Sequence, residues 1–364
     1  MPLVTVLSAT CRVRLAEDPD RELWDRYVDA HAQATPYHRF AWRDVVRRAY
    51  GHRSCYLIAT HAERPAEALG VLPLFHLKSA IFGNAMASLP FVDAGGALAA
   101  DPGTEIGLLA EAGRLAHALG AKDIDLRCEH ASAACESSAL ALPVSRRPGK
   151  VRMLLPLPGS SAELFKSFKA KLRSQINRPV KEGCTCAIGG LELLEDFYKV
   201  FLINMRDLGS PVHSKELMRH VLEAFPEQSR IFAVHHAGRP IAASLVIGFN
   251  GVLRNPWASS DRRYAAMSPN MLLYSRMLEY ACDAGYRTFD FGRSTPGEGT
   301  YRFKEQWGAQ PAPLHWYVIS ANGKPPAAQE SPAERFGLAA RLWSKLPVPV
   351  TRVLGPRIRK HISL

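Results

Sequence analysis

The sequence lacks any long apolar run. No stretch of its 364 residues reaches the about eighteen consecutive apolar residues that a membrane-spanning helix needs. The N-terminal residues also lack a basic segment followed by a long apolar run, which is the pattern of a secretory leader. We therefore expect a cytoplasmic protein, with at most a peripheral contact to the inner face of the cytoplasmic membrane.

Cysteines are few and scattered. Of the seven, only Cys184 and Cys186 are close together, and no second pair or nearby histidines complete a metal site. An odd number of cysteines without a leader is typical of a reducing cytoplasm. No Ser-His-Asp or Cys-His arrangement is recognisable either. We expect no bound metal, no permanently bound cofactor and no nucleophilic side chain.

The length and composition predict more than one folded domain. A chain of 364 residues exceeds the usual single core, and a content of 47% hydrophobic and 22% charged residues is that of an ordinary globular protein. We predict an N-terminal domain over residues 1–150, a C-terminal domain over 151–322, and a proline-rich linker with a basic tail over 323–364. The sequence favours a monomer.

Acidic residues are outnumbered, which gives the chain a net charge of +12. The excess favours anionic partners but does not choose among nucleic acid, a nucleotide-linked substrate and anionic lipid. From residue 335 onward there is no acid at all, and seven cations lie there: Arg335, Arg341, Lys345, Arg352, Arg357, Arg359 and Lys360.

The order of predicted elements repeats. In each half, helices precede a β-hairpin, and the turn at 62–65 is echoed by the turn at 237–240. A long helix follows each hairpin and ends at a glycine, Gly120 or Gly285, before another strand begins. The repeat predicts two similar α/β domains.

The most informative stretch runs from Thr288 to Ala309. Phe289, Asp290 and Phe291 form the end of a predicted strand, and Tyr301–Trp307 can form two helical turns. Between them lie four residues that break regular structure: Gly292, Pro296, Gly297 and Gly299. A loop of this kind exposes backbone amides suited to an anionic group or a developing oxyanion. Spacing alone equally allows a plain strand-loop-helix connection.

The run at 290–304, Asp-Phe-Gly-Arg-Ser-Thr-Pro-Gly-Glu-Gly-Thr-Tyr-Arg-Phe-Lys, resembles the signature of FemAB-type aminoacyltransferases. It is most similar to the branch associated with exosortase/PEP-CTERM and exopolysaccharide loci. The resemblance covers roughly residues 20 to 320. It implies an α/β (α+β) fold of two tandem acetyltransferase-like (GNAT) domains, each a mixed, mostly antiparallel sheet flanked by helices.

The resemblance also implies roles for residues of this run. Lys304 matches the lysine implicated in transfer, where a cation stabilises negative charge on the carbonyl oxygen. Asp290 would orient the loop amides or accept the proton of the attacking amine, with the orienting role favoured. Arg293, Ser294 and Tyr301 would hold the acceptor. A positioned, deprotonated amine attacks an ester or thioester without a nucleophilic side chain.

Two arginines are expected to recognise anions. Arg173 lies in a basic segment, 166–182, that resembles a family element, although a solvated helix face explains the charges equally well. We expect Pro179 to end that helix early. Arg206 matches an arginine that the family associates with acceptor phosphates, and a structural ion pair with Asp207 is the alternative.

Residues 254–260 form the strand end that parts from its neighbour in GNAT proteins to admit an acyl donor. We predict that Asn255 and Trp257 contact the substrate there, with burial in the core as the alternative for Trp257. The following run, 261–270, has no glycine, whereas coenzyme-A-dependent relatives have a glycine-rich pyrophosphate loop at this place. This favours aminoacyl-tRNA as the donor, with acyl-CoA as the alternative.

The sequence thus predicts an acyltransferase that moves an aminoacyl or acyl group to an amine of a cell-envelope or exopolysaccharide-related precursor. An acyl-CoA-dependent N-acyltransferase is the first alternative. The second is a non-catalytic adaptor that binds nucleic acid or an anionic membrane through residues 335–364, because a basic amphipathic segment with tryptophan suits either surface. Packing of this tail onto the protein body remains equally open.

Overall fold

A computed structural model describes residues 5–8, 11–147, 149–326 and 332–363 of the chain. They form two compact units that are not consecutive segments. The first comprises Met1–Gly149, Pro313–Gln329 and His361–Leu364, and the second comprises Lys150–Ala312 and Glu330–Lys360. The division into domains over 1–150, 151–322 and 323–364 stays a prediction. It consists of consecutive segments, whereas the chain of the structure returns to the first unit at Pro313–Gln329 and again at His361–Leu364.

The strands are, in chain order, β1 Thr5–Ser8, β2 Cys11–Leu15, β3 Arg53–Ser54, β4 Leu57–His61, β5 Ala68–Leu72, β6 Leu74–Ser79, β7 Gly83–Ser88, β8 Leu98–Ala99, β9 Asp123–Cys128, β10 Val144–Arg147, β11 Val151–Pro156, β12 Thr185–Gly189, β13 Ser229–His236, β14 Arg239–Phe249, β15 Val252–Ser260, β16 Thr288–Ser294, β17 Gln310–Pro313 and β18 His315–Ser320.

The α-helices are α1 Arg21–Ala30, α2 Trp42–Tyr50, α3 Pro102–Ala118, α4 Ala133–Glu136, α5 Ser161–Ser167, α6 Ala170–Lys181, α7 Leu194–Asp207, α8 Lys215–Ala224, α9 Pro269–Asp283, α10 Gly299–Glu305, α11 Pro332–Trp343 and α12 Val348–Arg359.

The first unit contains two sheets, ordered β1-β2-β4-β5-β8 and β10-β18-β9-β7-β6-β3. They divide between β5 and β6 at Pro73, which has no amide hydrogen to continue a ladder. Strand β18 lies between β9 and β10 and is antiparallel to both. A segment from the far end of the chain therefore completes the sheet of the first unit.

The second unit contains one sheet, ordered β12-β13-β14-β15-β16-β11-β17. Among its strand pairs with a described register, β15 with β16 is parallel and the others are antiparallel. Helix α9 connects these two parallel strands. The predicted fold class, a mixed and mostly antiparallel sheet flanked by helices, is confirmed.

The core of the second unit forms against one stripe of α9. Helical periodicity predicts six residues on this stripe, and all six are buried in one cluster: Met271, Leu272, Tyr274, Met277, Leu278 and Ala281. The helix is followed by Gly285, whose φ of 78° lies in the left-handed region that glycine adopts without strain. Gly120 follows α3 in the same way, with φ of 67°. The predicted helix ends are confirmed.

The prediction that Pro179 ends its helix early is wrong. Helix α6 continues through Pro179 to Lys181. A proline within a helix removes one backbone hydrogen bond, and this one lies so near the C-terminal end that later turn bonds, such as Cys184 N to Pro179 O at 2.9 Å, still close the helix.

Helices α11 and α12 of the tail belong to the second unit and pack within it. The backbone of Ala340 in α11 lies so close to Gly209 that a Cβ there would come within 2.5 Å of the Ala340 oxygen. In α12, Arg359 donates a hydrogen bond from Nε to the buried His213 Nε2 at 3.1 Å. Pro349 lies in the first turn of α12, where its missing amide hydrogen interrupts no helical hydrogen bond. Of the alternatives for the tail, packing onto the body is observed.

The buried His213 predicts a pH-dependent stability. Burial, followed by the nearby Arg359 guanidinium, holds the pKa of His213 well below its usual range. In the unfolded chain His213 is protonated below about pH 6.5, whereas in the folded chain it stays neutral. The free energy of unfolding therefore falls as pH decreases below 6.5, by up to about 1.4 kcal/mol per pH unit. We expect His213→Gln to reduce this slope in thermal melts between pH 7.5 and 5.

The matched control is His130→Gln, because His130 is exposed. It should leave the pH profile unchanged. Parallel profiles for the His213 variant and the wild type would contradict the assignment.

Candidate active site

Strands β15 and β16 run together for a short distance and then part. Their parallel pairing joins Val252–Arg254 to Thr288–Asp290. Beyond it, β15 continues alongside β14, with Ala258 opposite Ser244, whereas β16 continues alongside β11, with Ser294 opposite Val151. We call residues 255–260 of β15 and 291–294 of β16 the strand fork. It opens at the C-terminal ends of two parallel strands, where α/β sheets bind ligands.

Local irregularities in both ladders accompany the parting. The β14–β15 register shifts between Leu245 and Ile247, and the β11–β16 register shifts between Arg152 and Leu154. Such bulges bend a strand and increase its twist. Gly292 has φ of 75°, and a Cβ on it would lie 2.9 Å from the Asn255 carbonyl oxygen. Glycine is therefore required where the two arms last approach each other.

A buried ion cluster lies at the base of the fork. Asp290 is 3% exposed, and its Oδ2 accepts hydrogen bonds from Arg254 at 3.0 Å and Arg152 at 3.4 Å. Its Oδ1 accepts from the Gly292 amide at 2.8 Å. The last contact fits the orienting role that the sequence suggests for Asp290, because it fixes the backbone of the β16 arm.

Lys304 reaches the same backbone from α10. Its side chain is 7% exposed, and Nζ donates to the carbonyl oxygens of Gly292 at 3.0 Å and Arg293 at 2.7 Å. Its helix neighbour Arg302 is exposed, so the turn presents only one of its two cations to solvent. With Arg152 and Arg254 included, cations outnumber the carboxylate at the base of the fork, which suits developing negative charge.

Four predicted substrate-binding residues belong to the fork arms, namely Asn255, Trp257, Arg293 and Ser294, and of these Arg293 is half-buried. Asn255 is buried, and its Oδ1 accepts from Ser244 Oγ at 2.6 Å. Trp257 is also buried and lies edge-on to His213 at 6.5 Å between ring centroids, which agrees with the core alternative for this residue. Ser294 is 3% exposed, and its Oγ has no hydrogen-bond partner among the described residues.

The other predicted residues lie on neighbouring elements. Arg173 is half-buried on α6, and Tyr301 on α10 packs against the core. Arg206, at the end of α7, donates to Asp207 Oδ1 at 2.5 Å and to the Leu346 carbonyl oxygen at 3.3 Å. The structure thus contains the ion pair with Asp207, and a role of Arg206 in phosphate binding stays a prediction.

Sequence reasoning missed Arg152 and Arg254. Arg254 directly precedes the predicted Asn255. Strand alternation alone does not show that it lies beside Asp290, and only the parallel pairing of β15 with β16 places the two residues side by side. Arg152 carried no local signal, because β11 is brought beside β16 by the sheet order alone.

The segment after β15 does not form an open amide cradle. Arg262–Met267 is a 3-10 helix, and the flanking amides are used internally: Tyr264 N donates to Asp261 O at 3.0 Å and Ser268 N to Ala265 O at 3.0 Å. Pro269, at the start of α9, has no amide hydrogen. These contacts agree with the absence of a glycine-rich pyrophosphate loop.

The ion cluster generates a stability prediction. Asp290→Asn leaves two buried guanidiniums without their carboxylate, so we expect a loss of roughly 3–5 kcal/mol in the free energy of unfolding. Denaturant titration measures it. The control, Glu216→Gln, removes the carboxylate of an exposed pair with Arg219 and should cost about 1 kcal/mol or less. Equal losses in the two variants would refute the structural role of the cluster.

Comparison with known proteins follows the same lines. Residues 166–305 match the family model of an acetyltransferase (GNAT) domain. No curated protein matches the sequence. Within the described residues, no helix is both long and apolar enough to cross a membrane.

Several solved structures share the fold at low sequence identity. FemX is 16% identical, with a TM-score of 0.62 over 81% of this chain and 95% of FemX. A tandem GNAT protein from the clavulanic acid biosynthesis pathway is 13% identical, with a TM-score of 0.58 over 87% of this chain and 100% of its own. The C-terminal domain of a protein described as a lysylphosphatidylglycerol synthetase, from Agrobacterium fabrum, is 11% identical, with a TM-score of 0.53 over 89% of this chain and 95% of its own.

Residues 166–305 therefore form an acetyltransferase (GNAT) domain, which is the domain of an acyltransferase. The chain as a whole has a FemAB-like GNAT fold.

Proposed function

We propose that this protein transfers an aminoacyl group from aminoacyl-tRNA to an amine of a cell-envelope or exopolysaccharide-related precursor. The acyl group would lie in the strand fork, with its reacting carbonyl beside the β16 arm. The observation that carries the proposal is the burial of the Lys304 ammonium against the Gly292 and Arg293 carbonyls, at the edge of the fork.

Lys304 would act on the charge that forms during transfer. The deprotonated amine attacks the ester carbonyl carbon, and the carbonyl oxygen becomes negative in the tetrahedral intermediate. A C–N bond forms, the ester C–O bond breaks, and the proton lost by the amine ends on the leaving hydroxyl. A cation in a water-poor site stabilises such an oxyanion more than it would in bulk water.

Asp290 would position this cation indirectly. It fixes the Gly292 amide, and the Gly292 carbonyl in turn accepts from Lys304. Arg152 and Arg254 hold the carboxylate from two neighbouring strands. The proposal therefore assigns the chemistry to Lys304 and gives Asp290 a positioning role.

The donor is inferred from the segment after β15 and from the fold. Its internally bonded 3-10 helix offers little to a pyrophosphate, which disfavours coenzyme A. Among the neighbours in fold, the name of the lysylphosphatidylglycerol synthetase describes an aminoacyl group on an anionic lipid. The resemblance of residues 290–304 to FemAB proteins points to the same donor class, and its exosortase/PEP-CTERM branch points to an exopolysaccharide-related acceptor.

Arg173 and Arg206 are proposed to recognise anionic parts of the substrates. Asn204 Nδ2, two residues before Arg206, donates to Ser259 Oγ of the β15 arm at 3.2 Å. The end of α7 therefore lies beside the fork. A substrate phosphate in place of Asp207 would give Arg206 an anionic partner that a guanidinium can bind through two hydrogen bonds.

Loss of the Lys304 charge tests the proposal directly. We expect Lys304→Met to lower the rate of transfer from charged tRNA by roughly 100- to 1,000-fold, the usual effect of removing one oxyanion-stabilising group. The measurement is turnover of a panel of charged tRNAs and acyl-CoAs with amine acceptors. Faster turnover of acyl-CoA than of every charged tRNA would instead establish the N-acyltransferase alternative.

The control variant is Arg302→Met, which removes an exposed cation from the same short helix. It should retain most of the activity. Equal rates for the Lys304 and Arg302 variants would remove the catalytic assignment, provided that thermal melts show both proteins folded.

Association with an anionic membrane is a second candidate function. The inner side of α11 packs at Ala340. Its outer side exposes Leu338 by 74% and Leu342 by 59% beside the exposed Arg341, and the exposed Lys345 follows the helix. Apolar and basic side chains on one helix suit the surface of an anionic bilayer. The side chains of Arg335 and Phe336 lie outside the described residues.

Vesicle sedimentation tests this association. We expect the protein to bind phosphatidylglycerol vesicles, more weakly at high salt, and the change of Leu338 and Leu342 to Glu to reduce binding several-fold. Ile81→Glu is the control, because Ile81 is an apolar residue of the first unit that is even more exposed than the two leucines. Unchanged binding in the α11 variant would exclude this surface.

A further inference from the structure

A second polar site lies within the first unit, where β9 ends. Arg127 of β9 is only 1% exposed. One of its nitrogens donates to Asp125 Oδ2 at 2.6 Å, and another donates to the Val92 carbonyl oxygen at 3.0 Å. These contacts fix the guanidinium in one position, and they are independent of the strand fork.

Residues 361–363 occupy this site. The Ser363 carbonyl oxygen accepts hydrogen bonds from the Phe91 amide at 2.7 Å and from Arg127 at 3.1 Å. The Ser363 hydroxyl accepts from Arg127 at 2.7 Å and donates to Asp125 Oδ2 at 3.0 Å. The carbonyl oxygen and the hydroxyl of Ser363 therefore both have partners in the site.

Aromatic residues of the first unit, Phe91, Phe82 and His52, line the rest of the site. Phe91 is buried, and its φ of 78° is unusual for a residue other than glycine. This conformation presents the Phe91 amide to the bound segment. The His361 ring stacks on Phe82 at 6.3 Å between centroids and meets His52 edge-on at 6.3 Å. The site thus combines a carbonyl position, a hydroxyl position and an aromatic position.

We propose that this is a binding site for a peptide with a hydroxyl-bearing residue, and that residues 361–363 fill it as an intramolecular ligand. When the segment leaves, Arg127, Asp125 and the Phe91 amide lose partners in a buried place, where unsatisfied polar groups are costly. A separate peptide with the same pattern of carbonyl and hydroxyl replaces those partners. The first unit therefore exchanges its own segment for a peptide from another molecule.

The probe is a fluorescein-labelled peptide with the sequence of residues 360–364, Lys-His-Ile-Ser-Leu. We expect it to bind a variant that lacks residues 361–364 at least about tenfold more tightly than it binds the full chain, because the segment no longer competes. Fluorescence anisotropy gives both affinities. Equal affinity for the two proteins, or no binding to the variant, would overturn the proposal.

A second peptide separates recognition of the hydroxyl from general stickiness. Lys-His-Ile-Ala-Leu lacks the group that contacts Arg127 and Asp125, and we expect it to bind the shortened variant about tenfold more weakly, as for the loss of a hydrogen bond to charged groups. Equal affinity of the serine and alanine peptides would contradict a specific site.

A full-length variant keeps the test valid if the shortened protein does not fold. Ser363→Val removes the hydroxyl and leaves the rest of the chain in place. We expect the labelled serine peptide to bind this variant about tenfold more tightly than it binds the wild type, and an unchanged affinity would count against the proposal. None of these measurements requires turnover, so their outcome is independent of the transferase assignment.

Discussion

The second unit depends on one buried carboxylate. Asp290 joins three strands of the sheet, because Arg254 reaches it from β15 and Arg152 from β11 while it sits on β16. Strands β15 and β16 pair over only a short parallel ladder before they part, so its hydrogen bonds do little to hold the two strands together. The ion cluster therefore sets where the fork begins, and the Gly292 amide transmits that position to the backbone that Lys304 contacts.

The first unit repeats this device with a different outcome. Asp125 follows α3 and Gly120 as Asp290 follows α9 and Gly285, and it too contacts two arginines, Arg127 and Arg147. Burial alone would raise the pKa of Asp125, but the two guanidiniums outweigh it and the pKa is lowered. In the second unit the charge cluster supports a backbone turn and a lysine. In the first it supports a segment of the chain itself, through the contacts of Arg127 and Asp125 with Ser363.

Local patterns were sufficient for much of the fold and for part of the site. The stripe on α9 and the glycines after α3 and α9 are set by helix geometry within one stretch of chain, and the motif around Asp290 and Lys304 is contiguous as well. Non-local contacts were not predictable in this way. Arg152 joins the cluster through sheet order, and the Leu346 carbonyl that accepts from Arg206 comes from the tail, far along the chain. Pro179 shows a further limit, because a rule about helix interiors is weak in a last turn.

The position of β18 has a consequence for biosynthesis. A central strand of the first unit is encoded at His315–Ser320, after the whole sheet of the second unit. Chains leave the ribosome from the N-terminal end, and domains usually fold in that order. Here the leading half emerges with a gap between β9 and β10, and the trailing half can complete its sheet first. Until β18 emerges, the edge of β9 that it covers stays unpaired, and an unpaired strand edge can pair with another chain.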